Sequence, residues 1–239
     1  MAQSVKLKNI LIIGASGHAK VIIDIIEKQK KYKIFGLIDT HKDIGETVFG
    51  YTVLGTEMDI PLLMNQNNIH GGIIAIGDNW VRMQMKNRIL SLCKGFKFLS
   101  AIHPKSILYR GIKIPVGVVI MAGVIVNADA QIGEFCILNT KASLGHDSVM
   151  HNFSSLASGV TTGGCLELGE CSALSIGAIV IQNIKIGDYA IVGAGSLVIK
   201  DIGSYKVAFG NPAKEIRTRK PEEKYLNKVG YNNHESLSN

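Results

Sequence analysis

The chain is poor in cysteine, lacks any long apolar run and carries no paired metal-ligand motif. Four cysteines in 239 residues (Cys93, Cys136, Cys165 and Cys171) are too sparse for a disulfide framework. Cys165 and Cys171 stand six apart instead of in a CxxC pair, which excludes the usual structural zinc signature. The longest apolar stretch, Gly117 to Val126, is about half of the roughly 20 residues a bilayer span needs, so no membrane span is expected. The amino-terminal apolar core, Ile10 to Ile13, is shorter than the ~7–15 residues of a secretory signal and passes directly into a helical pattern. A cytoplasmic protein is expected. Lysine and arginine (26) outnumber aspartate and glutamate (19) for a net charge of +7. These charges are dispersed, with no basic and aromatic stacking stripe and no helix-turn-helix pattern. Small phosphorylated partners fit better than nucleic acid.

What the sequence does contain is a period of six. From Ile114 to Gly203 it divides into fifteen hexads without an insertion, and the first residue of each is aliphatic except at Thr162. The fifth residue is Val, Ala, Cys or Ser in all but three hexads, those with Leu166, Ile184 and Ile202. Neither the 3.6-residue helical period nor a short alternating strand gives this pattern. A chain that turns a corner every six residues and buries one aliphatic side chain per flat side does: a β-helix prism of five coils, with eighteen residues per three-sided turn.

Ahead of the prism, an apolar run at Asn9–Ile13 leads into GASGHAK (Gly14–Lys20) and a helical pattern through Ile22, Ile23, Ile25 and Ile26. Strand, glycine turn and helix open a doubly wound α/β unit. A second strand, Lys33–Ile38, ends at Asp39, and a third, Gly72–Ile76, ends at Gly77 before a helix from Asn79 to Lys94. Phe96–Ala101 reads as a last strand. The strand ends gather Ser16, Gly17, His18, Asp39, Thr40 and Gly77 on one sheet edge, where such folds bind ligands. The diphosphate of a nucleotide is expected near Ser16, Gly17 and His18, and the ribose or base near Asp39 and Thr40. The glycine spacing is G-x-x-G, weaker than a full dinucleotide fingerprint. The expected division is 1–104 for this unit, 105–217 for the prism and 218–239 for a charged, unassigned tail.

GASGHAK, the strand end IAIGDN, the uninterrupted hexads and the closing GNPAK (Gly210–Lys214) resemble the bacterial sialic-acid O-acetyltransferase-like (NeuD/PglD-type) family of hexapeptide-repeat sugar acetyltransferases. The resemblance covers residues 8 to about 217. It implies a Rossmann-like domain followed by a left-handed parallel β-helix, acting as a homotrimer with active sites between subunits. The implied reaction is acetyl-CoA-dependent N-acetylation of a nucleotide-linked 4-amino-4,6-dideoxy sugar for surface glycans, UDP-linked by preference, with no metal. O-acetylation of a sialic acid is the alternative.

Thioester-to-amine transfer needs a base and a stabiliser for the tetrahedral oxyanion. His146 is the third residue of its hexad and therefore outward, with Ala128 one coil below and Gly164 one coil above. The resemblance assigns it as general base, with Asp147 raising its basicity and Asn139 close to the reaction centre. Neighbouring strand residues point to opposite sides, so the His146–Asp147 pairing requires corner geometry. The relatives carry a second histidine, contacting acetyl-CoA, where this chain has Ser155. Gly164, Ile176 and Ala194 match coenzyme-binding positions, and Lys214 follows the last coil where it can meet phosphate. The same prism also occurs in γ-class carbonic anhydrases. Here only His146 and His151 have suitable spacing, and no third histidine lies within the prism, one ligand short of catalytic zinc.

Overall fold

A computed structural model of the chain describes residues 7–226. The amino-terminal part is built from β1 (Lys8–Ile13), α1 (Gly17–Gln29), β2 (Tyr32–Ile38), β3 (Thr47–Val48), β4 (Tyr51–Gly55), α2 (Ile60–Asn67), β5 (Ile69–Ile74) and α3 (Asn79–Leu92). The sheet order is β3-β4-β2-β1-β5, parallel except for the β3 edge. Ile10 to Ile13 are all buried because β1 is an interior strand, between β2 and β5, with both faces covered. In α1, Ala19, Ile22, Ile23 and Ile26 form the buried stripe. The helix stops at Lys30, which takes the left-handed conformation (φ 53°) and returns its N–H to the Ile26 carbonyl.

The chain runs from β1 to one side of the sheet and returns to β5 on the other, so the topological switch point lies beside the ends of β1 and β5. Gly14 sits there at φ +111°, and a Cβ on it would stand 2.7 Å from the Ala75 carbonyl oxygen. Only glycine permits this approach of loop to strand. The Phe96–Ala101 run contributes a single bridge, Phe98 to Gly72, before it enters the prism.

The hexads fold as a three-sided parallel β-helix. Two-residue strands recur every six residues and pair with strands eighteen residues away: Ile137–Leu138 lies between Val119–Ile120 and Ser155–Leu156. The first hexad residues are inward, and every one from Ile120 to Val198 is buried. So is the fifth position of each hexad, including Leu166, Ile184 and Ile202. Corners use the left-handed region, for example at Asp129 (φ 58°), Phe135 (φ 56°) and Asp147 (φ 55°). Pairing extends back to Ala101–Ile102 and forward to a hairpin of Lys206–Gly210 with Ala213–Thr218.

Beyond the hairpin the chain doubles back over the prism. The tail read from the sequence as unassigned packs against both parts as far as Leu226. Arg219 is buried, and the phenol oxygen of Tyr225 accepts a hydrogen bond from the Asn79 backbone N–H at 3.4 Å. The remainder of that tail, 227–239, lies outside the described residues.

The two parts meet through an aromatic contact and an arginine. Phe98 packs edge-on against Phe135 at 5.1 Å, and Phe135 stacks on Phe153 at 5.0 Å. Arg82 on α3 is fully buried. Its Nε donates to the Phe135 carbonyl (2.9 Å), Nη1 to the carbonyls of Ile76 and Gly77 (3.0 Å each), and Nη2 to the Phe153 carbonyl (2.9 Å) and Asn79 Oδ1 (2.6 Å). Replacing Arg82 by Leu strips donors from five oxygens, three of them in buried contacts. It should cost about 3–5 kcal/mol, the scale of leaving several buried acceptors without a donor. A chemical denaturation midpoint equal to that of wild type would rule this out.

Candidate active site

The geometry left open by the sequence is resolved at the His146 corner. Asp147 occupies the left-handed corner position (φ 55°), which swings its carboxylate round to its neighbour. Asp147 Oδ2 lies 2.6 Å from His146 Nδ1, leaving Nε2 as the free nitrogen of the ring. Gly164 lies against that ring: a Cβ there would be 2.5 Å from Cε1 and Nε2 of the imidazole. The absent side chain at Gly164 therefore makes room for the His146 ring. Thr162, the polar member of the inward column, accepts the Gly145 N–H through Oγ1 at 2.9 Å. It thus fixes the turn that presents His146.

Asn139 is at a different corner. It follows the strand Ile137–Leu138, whereas His146 follows the next strand, Ser143–Leu144, so one flat side of the prism separates them within the chain. Asn139 and Ser155, with His18, Gly77, Ile176 and Ala194, line a cavity of about 760 Å³ between the prism and the amino-terminal part. Most of its walls are aliphatic. Asn139 turns Oδ1 to the Thr140 N–H (2.7 Å), and Ser155 Oγ accepts from Asn79 Nδ2 (3.1 Å). The strap from Arg217 to Leu226 forms another wall, which sequence reasoning missed because its partners lie up to 146 positions away.

The expected nucleotide residues divide into two groups. Ser16, Asp39 and Thr40 line a smaller pocket of about 220 Å³, which Gly77 also lines, so the two cavities adjoin at Gly77. Gly17 and Ser16 also face a separate shallow pocket with Lys20 and Lys42. Asp39 is occupied by the backbone: Oδ2 accepts the Ala15 N–H (2.7 Å) and Oδ1 the His41 N–H (2.8 Å). Thr40 Oγ1 donates to Glu57 Oε2 (2.9 Å). His18 leaves this group and points into the main cavity. Its pKa falls from 6.5 to about 4 because burial, and then the Arg82 charge, disfavours the imidazolium.

Near the last coil, Lys214 is exposed and lines none of these cavities. Arg217 and Arg219, which follow it in the chain, are engaged in other contacts. Arg217 forms a two-pronged pair with Glu223 (3.0 and 2.5 Å), and Arg219 donates to the carbonyls of Tyr189, Pro221 and Glu223. His151 stands one corner beyond His146, 3.5 Å from Glu167, so the two histidines do not converge. Among the described residues, the one group able to hold a metal is His146, Asp147 and Cys165, all exposed.

An α/β unit with a ligand-binding sheet edge, followed by a hexapeptide prism bearing a carboxylate-oriented histidine, defines a hexapeptide-repeat acyltransferase of the left-handed β-helix type. Residues 9–89 match the model of the PglD N-terminal domain. A mutant of perosamine N-acetyltransferase from Caulobacter crescentus, solved with CoA and GDP-perosamine, superposes with a TM-score of 0.83 at 32% identity, over 90% of this chain and 99% of that one. The acetyltransferase domain of PglB from Neisseria gonorrhoeae FA1090, in complex with acetyl coenzyme A, gives 0.78 at 29% identity over 88% and 100%. GDP-perosamine N-acetyltransferase of Escherichia coli O157:H7 is 26% identical over 218 residues, covering 86% of this chain and 95% of that protein. The chain belongs to the sugar acetyltransferase family of hexapeptide-repeat type. Other curated relatives match through part of their length: the chain spans 35% of serine acetyltransferase 2 from Arabidopsis thaliana, at 37% identity over 114 residues.

Two measurements check this geometry. Thr162→Val keeps the shape but leaves the Gly145 N–H without an acceptor, and should lower stability by about 1–3 kcal/mol. An unchanged unfolding midpoint would refute the anchor. Because the unfolded chain takes up the His18 proton first, the stability held by neutral His18 is complete above pH 6.5 and lost between pH 6.5 and about 4. The loss should reach about 2–3 kcal/mol by about pH 4.5. His18→Asn should flatten that part of the stability curve; identical curves for the two proteins would contradict it.

Proposed function

We propose that the protein is an acetyl-CoA-dependent N-acetyltransferase acting on the 4-amino group of a nucleotide-linked 4-amino-4,6-dideoxy sugar, a cytoplasmic step of surface-glycan synthesis. The observation that carries this reading is the junction at Gly77. It joins the pocket of Ser16, Asp39 and Thr40 to the cavity of His18, Asn139 and Ser155. A nucleoside diphosphate seated over the first pocket and the amino terminus of α1 places its sugar in the second. The aliphatic remainder of that cavity, with Ile176 and Ala194 on its rim, suits a pantetheine arm. Relatives solved with CoA and GDP-perosamine support the same pair of ligands.

His146 Nε2 takes the proton from the attacking amine, while Asp147 at Nδ1 sets the ring and stabilises its cation. The amine lone pair forms the C–N bond at the thioester carbonyl and the C=O electrons move onto oxygen. Collapse restores C=O and breaks C–S, and the CoA sulfur leaves and takes up the proton. Within one chain the side chains of His146 and Asp147 are 64% and 58% exposed, unsheltered for this work. In a homotrimer, the His146 corner of one subunit closes over the Asn139 cavity of another, and each site gains both halves.

His146→Ala should lower kcat by roughly 10²–10⁴, the usual worth of a positioned base, with the trimer intact by analytical ultracentrifugation. Retained turnover would refute the base. Acetyl-CoA consumption measured against UDP-, GDP- and dTDP-linked 4-amino sugars, CMP-linked sialic acid and free sialic acid decides the acceptor and its nucleotide. Transfer to sialic acid alone would overturn the amine reading, and full activity of a monomer would overturn the shared site.

A further inference from the structure

The carboxy-terminal strap brings a residue to the cavity that the reaction as described does not use. The strap is fastened at both ends. Arg217 grips Glu223, Arg219 holds the Pro221 and Glu223 carbonyls, and the Arg219 guanidinium lies 5.9 Å over the Tyr225 ring. Tyr225 is thereby held with its phenol beside the Ser155 hydroxyl on the cavity wall.

The hydrogen bonds around this pair can be counted. Asn79 donates to both oxygens: its backbone N–H to Tyr225 (3.4 Å) and its Nδ2 to Ser155 Oγ (3.1 Å). Asn79 cannot reverse these roles, because its Oδ1 accepts from the buried Arg82. Among the described residues neither hydroxyl donates to another protein atom outside the pair. Two O–H protons are therefore available and a bond between the two oxygens uses only one of them. At least one proton is left for an acceptor outside the pair, and both residues line the cavity. Burial pushes the Tyr225 pKa up to about 12, so its proton is retained throughout the neutral range.

Most of the cavity wall is aliphatic, with Glu223 and Lys224 of the strap also on it. A neutral donor in such a place suits an uncharged acceptor oxygen that gains charge during reaction. We propose that the Ser155–Tyr225 hydroxyl pair donates to the carbonyl oxygen of the acyl thioester and stabilises the oxyanion formed when the amine attacks. This inference rests on the acetyltransfer reading above. The proton stays on the hydroxyl; the donated hydrogen bond strengthens as the C=O electrons move onto oxygen and relaxes when the C–S bond breaks.

Because either hydroxyl alone still offers a proton, the two substitutions should be strongly non-additive. Ser155→Ala and Tyr225→Phe, which keeps the ring under Arg219, should each lower kcat by less than about tenfold. The double variant should fall by roughly 10²–10³, the worth of one lost oxyanion donor, at least tenfold beyond the product of the single effects. A double variant no worse than that product would overturn the proposal while leaving the acetyltransferase reading intact. A merely structural strap would give the multiplicative result. A second readout does not need turnover: by calorimetry, wild type should bind acetyl-CoA several-fold more tightly than CoA, and the double variant should lose that preference. Equal affinity of wild type for the two ligands would also overturn the proposal. If wild type acetylates no amino sugar, the broader reading fails, and this binding comparison still decides whether the hydroxyl pair meets the acetyl group.

Discussion

A guanidinium withdrawn completely from water, with no carboxylate against it, is the constraint on which this structure turns. Removing a cation from solvent costs several kcal/mol unless its hydrogen-bonding capacity is met. Arg82 meets it through five N–H···O contacts, four to backbone carbonyls and one to Asn79. The carbonyls of Phe135 and Phe153 belong to prism corners, and those of Ile76 and Gly77 to the end of the β5 segment. One side chain therefore fixes the distance between the sheet edge and the β-helix. The cavity between them has a defined width because those five oxygens cannot separate without losing their donor. The same network orients Asn79, and through it Ser155 and Tyr225.

The prism was legible because its period is enforced locally. Every coil must bury a side chain at the same two positions, and the strands repeat that requirement from Ile120 to Val198. Even Thr162 obeys it, exchanging an aliphatic contact for a hydrogen bond that the adjacent turn requires. The first βαβ segments were legible for a similar reason: apolar runs, a glycine turn and the Ile22–Ile26 stripe follow one another along the chain. The β3–β4 hairpin and α2 were not, since residues 47–67 show weak periodicity and take their form from neighbouring elements.

The candidate site was legible in its residue types and less so in its arrangement. His146 and Asp147 stand out as departures from a bland hexad, and the left-handed corner that joins them is a backbone property no side chain announces. Asn139 and His146 lie seven positions apart in sequence and on different corners in space. Asp39 has the expected position and is engaged by backbone amides. Arg82 and Tyr225 escaped notice because an arginine in a polar helix and a tyrosine in a charged tail are ordinary until their distant partners are known.

The strap gives the prism a property that a solenoid does not have by itself. A stack of identical coils has no natural end, and inserting one more turn of eighteen residues would leave every corner in phase. Such an insertion would lift the closing hairpin by one strand spacing, about 4.8 Å. Tyr225 would then no longer reach Asn79 from the far end of the stack. The return of the chain from the last coil to the domain junction thus acts as a calliper: it measures the number of turns and ties the length of a repetitive element to the placement of a single hydroxyl.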